Sequence, residues 1–153
     1  MANKNPGKKF EEDILTSVTN NIYKYRIKDT TLRFKGDNNP CDMFLFKDDT
    51  LYMLELKSTK ASAIPYTSIA EHQFEGLLKA SKYNGIKAGF LFNFREHKET
   101  YYIDINKTIE FKNNSGRMSY PIKFVRENGI KLDQTLKRTR YRYDIEKLLK
   151  DIG

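Results

Sequence analysis

Residues 42–57 run Asp-Met-Phe-Leu-Phe-Lys-Asp-Asp-Thr-Leu-Tyr-Met-Leu-Glu-Leu-Lys, two apolar stretches separated by a short polar break. Runs of this kind fold as paired strands, with Lys47-Asp48-Asp49-Thr50 as the turn. Side chains two positions apart share a face of a strand, so Glu55 and Lys57 point together while Leu54 and Leu56 point the opposite way. Charges set into an apolar strand cost stability unless they have a partner, and a divalent cation is one such partner. Antiparallel pairing of the two runs brings Asp42 within a few ångströms of Glu55.

The rest of the chain supplies elements to pack around that hairpin. After Asn5-Pro6-Gly7, the recurrence of Phe10, Ile14, Val18 and Ile22 predicts a first helix. Glu11 lies on its core-facing stripe with Leu15, Val18 and Ile22, whereas Glu12 joins Thr16 and Thr19 on the polar side. Taken alone, Glu11 is accounted for as an acid complementing the helix dipole. Residues 23–34 suggest a strand pair or one bent strand, and residues 35–40 a loop. Ser68-Ile69-Ala70-Glu71 has the pattern of a capping box, predicting a helix to about Lys82 that Asn84-Gly85 closes. Gln73 shares an apolar face of it with Ile69, Leu77 and Ala80, which suggests a buried hydrogen-bonding role or an interface position.

Residues 88–94 are almost wholly apolar and predict a buried central strand, with residues 101–105 as its antiparallel neighbour. Residues 113–116 read as a loop, 120–125 as a short edge strand and 132–142 as a basic, mobile segment. Residues 143–152 predict a terminal helix with Ile145, Leu148 and Leu149 on one side. The expected fold is α/β, a mixed central sheet flanked by helices. Residues 1–153 are expected to form a single domain with a basic C-terminal segment at about 131–153.

Lys and Arg number 28 against 20 Asp and Glu, a net charge of +8, which favours a polyanionic partner. The two candidates are nucleic acid and an acidic membrane surface, and no basic amphipathic anchor helix supports the second. A single cysteine, Cys41, excludes an intrachain disulfide framework and argues against a cysteine-rich metal site. Beside Asp42 it is expected to be a small buried side chain rather than a reactive thiol. The N-terminal segment lacks the apolar core of a signal peptide, and no stretch approaches a membrane span, so the expected location is cytoplasmic.

Phosphodiester hydrolysis needs an activated water in line with the leaving oxygen and positive charge on the transition state. Mg²⁺ takes a few carboxylate oxygens and keeps several waters, so Asp42, Glu55 and the Leu56 backbone carbonyl form a candidate half-shell, with Mn²⁺ as a substitute. Lys57 beside it could orient or help deprotonate the water. An arbitrary Glu-x-Lys is more often a cross-strand ion pair on a solvated face. Leu51, Met53, Leu54 and Leu56 make this strand apolar on both sides, which weakens that account, and from the pattern alone both remain open.

These residues resemble the PD-(D/E)xK nuclease superfamily, whose restriction-endonuclease-like core runs helix, strands carrying Asp and then Glu-x-Lys, helix, strand. More closely, the chain resembles RecU-type Holliday-junction resolvases. The matching pieces are Gly7-Lys8-Lys9-Phe10-Glu11, Asp42, Glu55-Leu56-Lys57-Ser58-Thr59, His72-Gln73, Asn84-Gly85-Ile86 and Tyr120-Pro121-Ile122, covering about residues 7–125. The resemblance implies a Mg²⁺-dependent endodeoxyribonuclease of DNA recombination and repair. In it Asp42 and Glu55 bind metal and Lys57 is catalytic. Glu11 stands near the metal, directly, through water or on a second cation, and Gln73 approaches the site.

Two departures matter. One residue separates Pro40 from Asp42, so the literal Pro-Asp pair is absent, and residues 23–41 are too few for the long stalk that RecU-type resolvases insert before the catalytic Asp. A stalkless or short-stalk protein, such as a phage type, reconciles the two. Lys8, Lys9, Lys60, Lys137, Arg138, Arg140 and Arg142, with Lys4, Lys57 and Lys131, are the candidate DNA contacts. Phosphate contacts carry no sequence information, which suits recognition of a branched shape. Resolution of a four-way junction by paired symmetric nicks calls for a homodimer. The competing readings are a restriction- or repair-type nuclease of the same fold acting on linear duplex, and a non-catalytic nucleic-acid-binding module.

Overall fold

The computed structural model describes residues 5–28 and 39–153. A six-stranded sheet runs in the order β1 (Tyr23–Arg26), β2 (Met43–Lys47), β3 (Thr50–Thr59), β5 (Ile86–Phe94), β6 (Glu99–Asp104) and β8 (Ile130–Lys131). Only the β3–β5 pair is parallel, as the crossover through helix α2 (Glu71–Ser81) requires. The β2–β3 hairpin turns where expected, at Asp48 and Asp49, whose φ values of 49° and 62° match the twist of the flanking strands.

Helices cover both faces of the sheet. On one, α1 (Pro6–Ser17) and α5 (Ile145–Ile152) bury Phe10, Ile14, Leu148 and Leu149 against Leu54, Leu56, Leu91 and Tyr102. On the other, α2 lies with α3 (Ile105–Asn114) and α4 (Ile122–Asn128) over Met53, Phe90, Phe92 and Ile103. Buried on both faces, β5 is the central strand that its apolar sequence suggested. The short strands β4 (Ala63–Pro65) and β7 (Ser119–Pro121) pair separately, as do β9 (Gln134–Lys137) and β10 (Arg140–Tyr143).

Several boundaries differ from expectation. Helix α1 stops at Ser17, because Val18 turns extended, and Ile22 is buried from the turn beyond it. Helix α2 begins at Glu71, not at Ser68, which sits in a 3-10 turn with its hydroxyl donating to the Pro65 carbonyl. Residues 120–125 are not an edge strand: β7 ends at Pro121, and Ile122 and Val125 then bury themselves at helical spacing. The weakly patterned stretch before them holds α3, capped by the Asp104 side chain accepting from the Asn106 amide. The basic segment 132–142 is an ordered hairpin. Arg140 of β10 donates to the buried Asp13 carboxylate at 2.7 Å and pairs with Glu12 at 3.2 Å, tying the hairpin to α1. Of the strand expected over residues 23–34, β1 covers 23–26. Residues 29–34, the loop at 35–38 and Lys4 lie outside the described residues.

Candidate metal centre and nucleic-acid interface

Asp42, Glu55, Lys57 and Gln73 come together at the end of β2. The last β2–β3 pair is Met43 with Leu54, and the Asp42 amide donates to the Leu54 carbonyl. One step further along β3 there is no β2 residue opposite, and Asp42 fills the gap with its side chain: the Leu56 amide donates to Asp42 Oδ2 at 2.8 Å. Amide and carbonyl of one strand residue point to the same neighbour, so the Leu56 carbonyl lies on the Asp42 side too. Asp42 and Glu55 share the sheet face under α2.

Helix α2 is brought close by Gly76, where a Cβ would stand 3.3 Å from Pro40 Cβ, and by Phe74, packed edge-on to Phe90. That approach delivers Gln73. Its Oε1 accepts from the Ala70 amide at 3.0 Å, capping the helix, and its Nε2 donates to Glu55 Oε2 at 2.9 Å. Lys57 Nζ reaches the same Glu55 oxygen at 3.2 Å.

Glu55 is 2% exposed, and its other oxygen, Oε1, is buried with no hydrogen-bond partner. Burial chiefly, then the charge of Asp42, pushes this carboxyl up to about 8 against the opposing pull of Lys57. Cys41 next door is buried, as expected, and burial, Glu55 and Asp42 together raise its thiol to about 12, which makes it inert. The site therefore resists a second negative charge that nothing compensates and holds an orphaned carboxylate oxygen, the donor chemistry that fits a hard divalent cation. Among the described residues no group of three or more His, Cys, Asp or Glu is arranged to hold a metal, so the shell that fits is two carboxylates, a backbone carbonyl and water.

The Glu11 carboxylate is held by the Arg26 guanidinium at the end of β1, opposite Met43. Of the candidate DNA contacts, Lys8 and Lys60 are exposed and Lys9 is half-buried at the start of α1. Lys137 and Arg138 are exposed at the tip of the β9–β10 hairpin, and Lys131 is exposed on β8. Arg142 donates to the Tyr141 carbonyl, and Arg140 is committed to Asp13 and Glu12. Sequence reasoning missed a polar chain inside the sheet, Arg95 to Ser58 to Asn93 to Thr100 to Gln134. Its signal was Asn93, a single amide in the otherwise apolar run 88–94 of β5.

The family model of RecU, recombination protein U, matches residues 15–144, a stretch that includes Asp42, Glu55, Lys57 and Gln73 and begins after Glu11. An SPbeta prophage-derived uncharacterized protein of Bacillus subtilis (strain 168), YotM, is 33% identical over 169 residues, 97% of this chain and 87% of that protein. In fold, the chain is similar to Hjc, a Holliday junction resolvase of Archaeoglobus fulgidus, with a TM-score of 0.57 and 13% identity, covering 82% of this chain and 95% of that one. The chain belongs to the RecU family of recombination proteins.

Proposed function

We propose that the protein is a Mg²⁺-dependent endonuclease that resolves Holliday junctions by paired symmetric nicks, acting in the cytoplasm as a homodimer. The observation that carries this reading is the buried, unpartnered Glu55 Oε1 beside Asp42, with Lys57 on the opposite carboxylate oxygen. Asp42, Glu55 and the Leu56 carbonyl would hold Mg²⁺, or Mn²⁺ in its place. When bound, the metal supplies Lewis-acid charge for the phosphate and lowers the pKa of water.

The chain's own groups do the rest. Gln73 fixes the rotamer of Glu55 and satisfies one of its oxygens, leaving the other for the metal. The Leu56 amide orients Asp42 by donating to its Oδ2. Lys57, 23% exposed at its side chain, reaches from the Glu55 carboxylate to solvent and would orient the attacking water and offset charge on the phosphate. Glu11 would join as an outer ligand only on release from Arg26. Lys8, Lys9, Lys60, Lys137, Arg138 and Arg142 would contact DNA phosphates, whereas Arg140 holds the hairpin in place.

The test is cleavage, with and without Mg²⁺, of immobile and mobile four-way junctions beside linear duplex and single strands. Symmetric nicks confined to the junctions are expected. Equal cutting of linear duplex would make the protein a restriction- or repair-type nuclease. Saturable junction binding without any cutting would make it a binding module.

A further inference from the structure

Between α1 and the C-terminal ends of β3 and β5, on the sheet face opposite Glu55, lies a cleft of about 130 Å³ lined by Lys9, Asp13, Asn93, Arg95, Gln134 and Tyr141 among others. Arg95 is fixed there twice. Its amide donates to the Thr59 carbonyl at 2.9 Å, prolonging the β3–β5 pairing by one residue, and its Nη1 donates to Ser58 Oγ at 3.0 Å. Ser58 in turn donates to Asn93 Oδ1 at 2.7 Å, Asn93 Nδ2 to Thr100 Oγ1 at 2.9 Å, and Thr100 to Gln134 Oε1 at 2.6 Å. Asn93 and Thr100 are buried at 6% and 0% exposure, so this is an internal support and not a solvated surface. Each hydroxyl in the chain both accepts and donates, and the run begins at the guanidinium.

What is supported is a cation without an anion. Neither Arg95 nor Lys9 has a carboxylate within ion-pair distance among the described residues. The acid in the cleft, Asp13, is spent on Arg140 Nε and the Tyr141 amide. A planar guanidinium held at Nη1 by Ser58 and lining the cleft with Lys9 suits a phosphodiester, which it can meet with two parallel hydrogen bonds. The cleft's volume corresponds to about four waters, room for a phosphate group. Ser58, which holds Arg95, follows Lys57 directly on β3 and faces the other side of the sheet, so a DNA strand must wrap the end of the sheet to meet both.

We propose that Arg95, held by the Ser58–Asn93–Thr100–Gln134 chain and assisted by Lys9, binds a backbone phosphate of the strand that is cut. That the bound strand is cut rests on the nuclease reading; its binding by Arg95 and Lys9 does not. It makes Arg95 a positioning residue, setting the register of the strand over Lys57.

The test uses the full chain in EDTA with a fluorescent four-way junction and a linear duplex of the same arm sequence, titrated across about 50 to 200 mM salt. Arg95→Gln is expected to weaken binding to both about tenfold and to lower the log–log salt slope by about one. Arg95→Lys keeps the slope while binding more weakly than wild type, because the charge remains and the fork is gone. Lys87→Gln, at the exposed far end of β5, keeps wild-type affinity. An Arg95→Gln protein with the salt slope of Lys87→Gln overturns the proposal, whether its melting temperature is unchanged or has dropped. If Arg95 governs binding but wild type with Mg²⁺ cuts no junction, the phosphate site stands and the nuclease reading falls. If wild type cuts and Arg95→Gln binds like wild type, only the phosphate site falls.

Discussion

Gln73 Nε2 donates to Glu55 Oε2 at 2.9 Å while the other end of the same amide caps α2, so one side chain fixes both the start of a helix and the orientation of a candidate metal ligand. Gln73→Ala should therefore destabilise the fold by about 1–2 kcal/mol. It should also weaken Mn²⁺ binding or cleavage by about 10–100-fold, the usual consequence of removing a ligand's supporting hydrogen bond. Denaturant melts and metal titration of the same variant measure the two losses separately. A stability loss with metal binding intact would reduce Gln73 to a cap.

Glu55 gives the site a pH dependence of definite sign. Its carboxyl is raised from 4.5 to about 8, so without metal the folded protein keeps a proton that the unfolded chain releases. The stability this contributes is complete below about pH 4.5 and is lost as pH rises through about 8. In EDTA, the melting temperature of wild type should fall over this range relative to Glu55→Gln. Metal takes the deprotonated carboxylate, so Mn²⁺ affinity should rise over the same range with release of a proton, readable by calorimetry in buffers of different ionisation enthalpy. Parallel pH profiles for wild type and Glu55→Gln would contradict the account.

The basic hairpin separates into two kinds of arginine. Arg140 neutralises Asp13, which is 3% exposed, and Arg140→Ala leaves that carboxylate buried without its partner. The variant should melt several degrees lower and expose the hairpin to protease. The double variant Lys137→Ala, Arg138→Ala, at the exposed turn, should melt like wild type and lose DNA affinity with a shallower salt slope. Equal effects of the two variants on stability would refute the division.

The elements nearest the chemistry were the most legible in the sequence. Alternation of side chains put Glu55 and Lys57 on one face, and the apolar run into β5 announced a strand covered on both sides, because these patterns arise from local geometry and burial. Gln73 was legible as a polar intruder on an apolar stripe. Arg140 was not, since its role depends on Asp13, 127 residues away, and nothing local distinguishes a buried ion pair from a solvated basic run. The pairing of Glu11 with Arg26 was equally hidden, because Arg26 belongs to a strand formed later in the chain. Residues 120–125 were misread because Pro121 ends one element and starts another, and short alternating apolar residues fit either period.

The most direct test of the central claim is strand-resolved cleavage of a four-way junction by wild type and Asp42→Asn, with junction binding measured in parallel. Wild type with Mg²⁺ should place symmetric nicks in opposite strands. Asp42→Asn should lose cleavage by more than about a hundredfold and keep its affinity for the junction. Wild-type cleavage by Asp42→Asn would remove Asp42 from the metal centre and contradict the account.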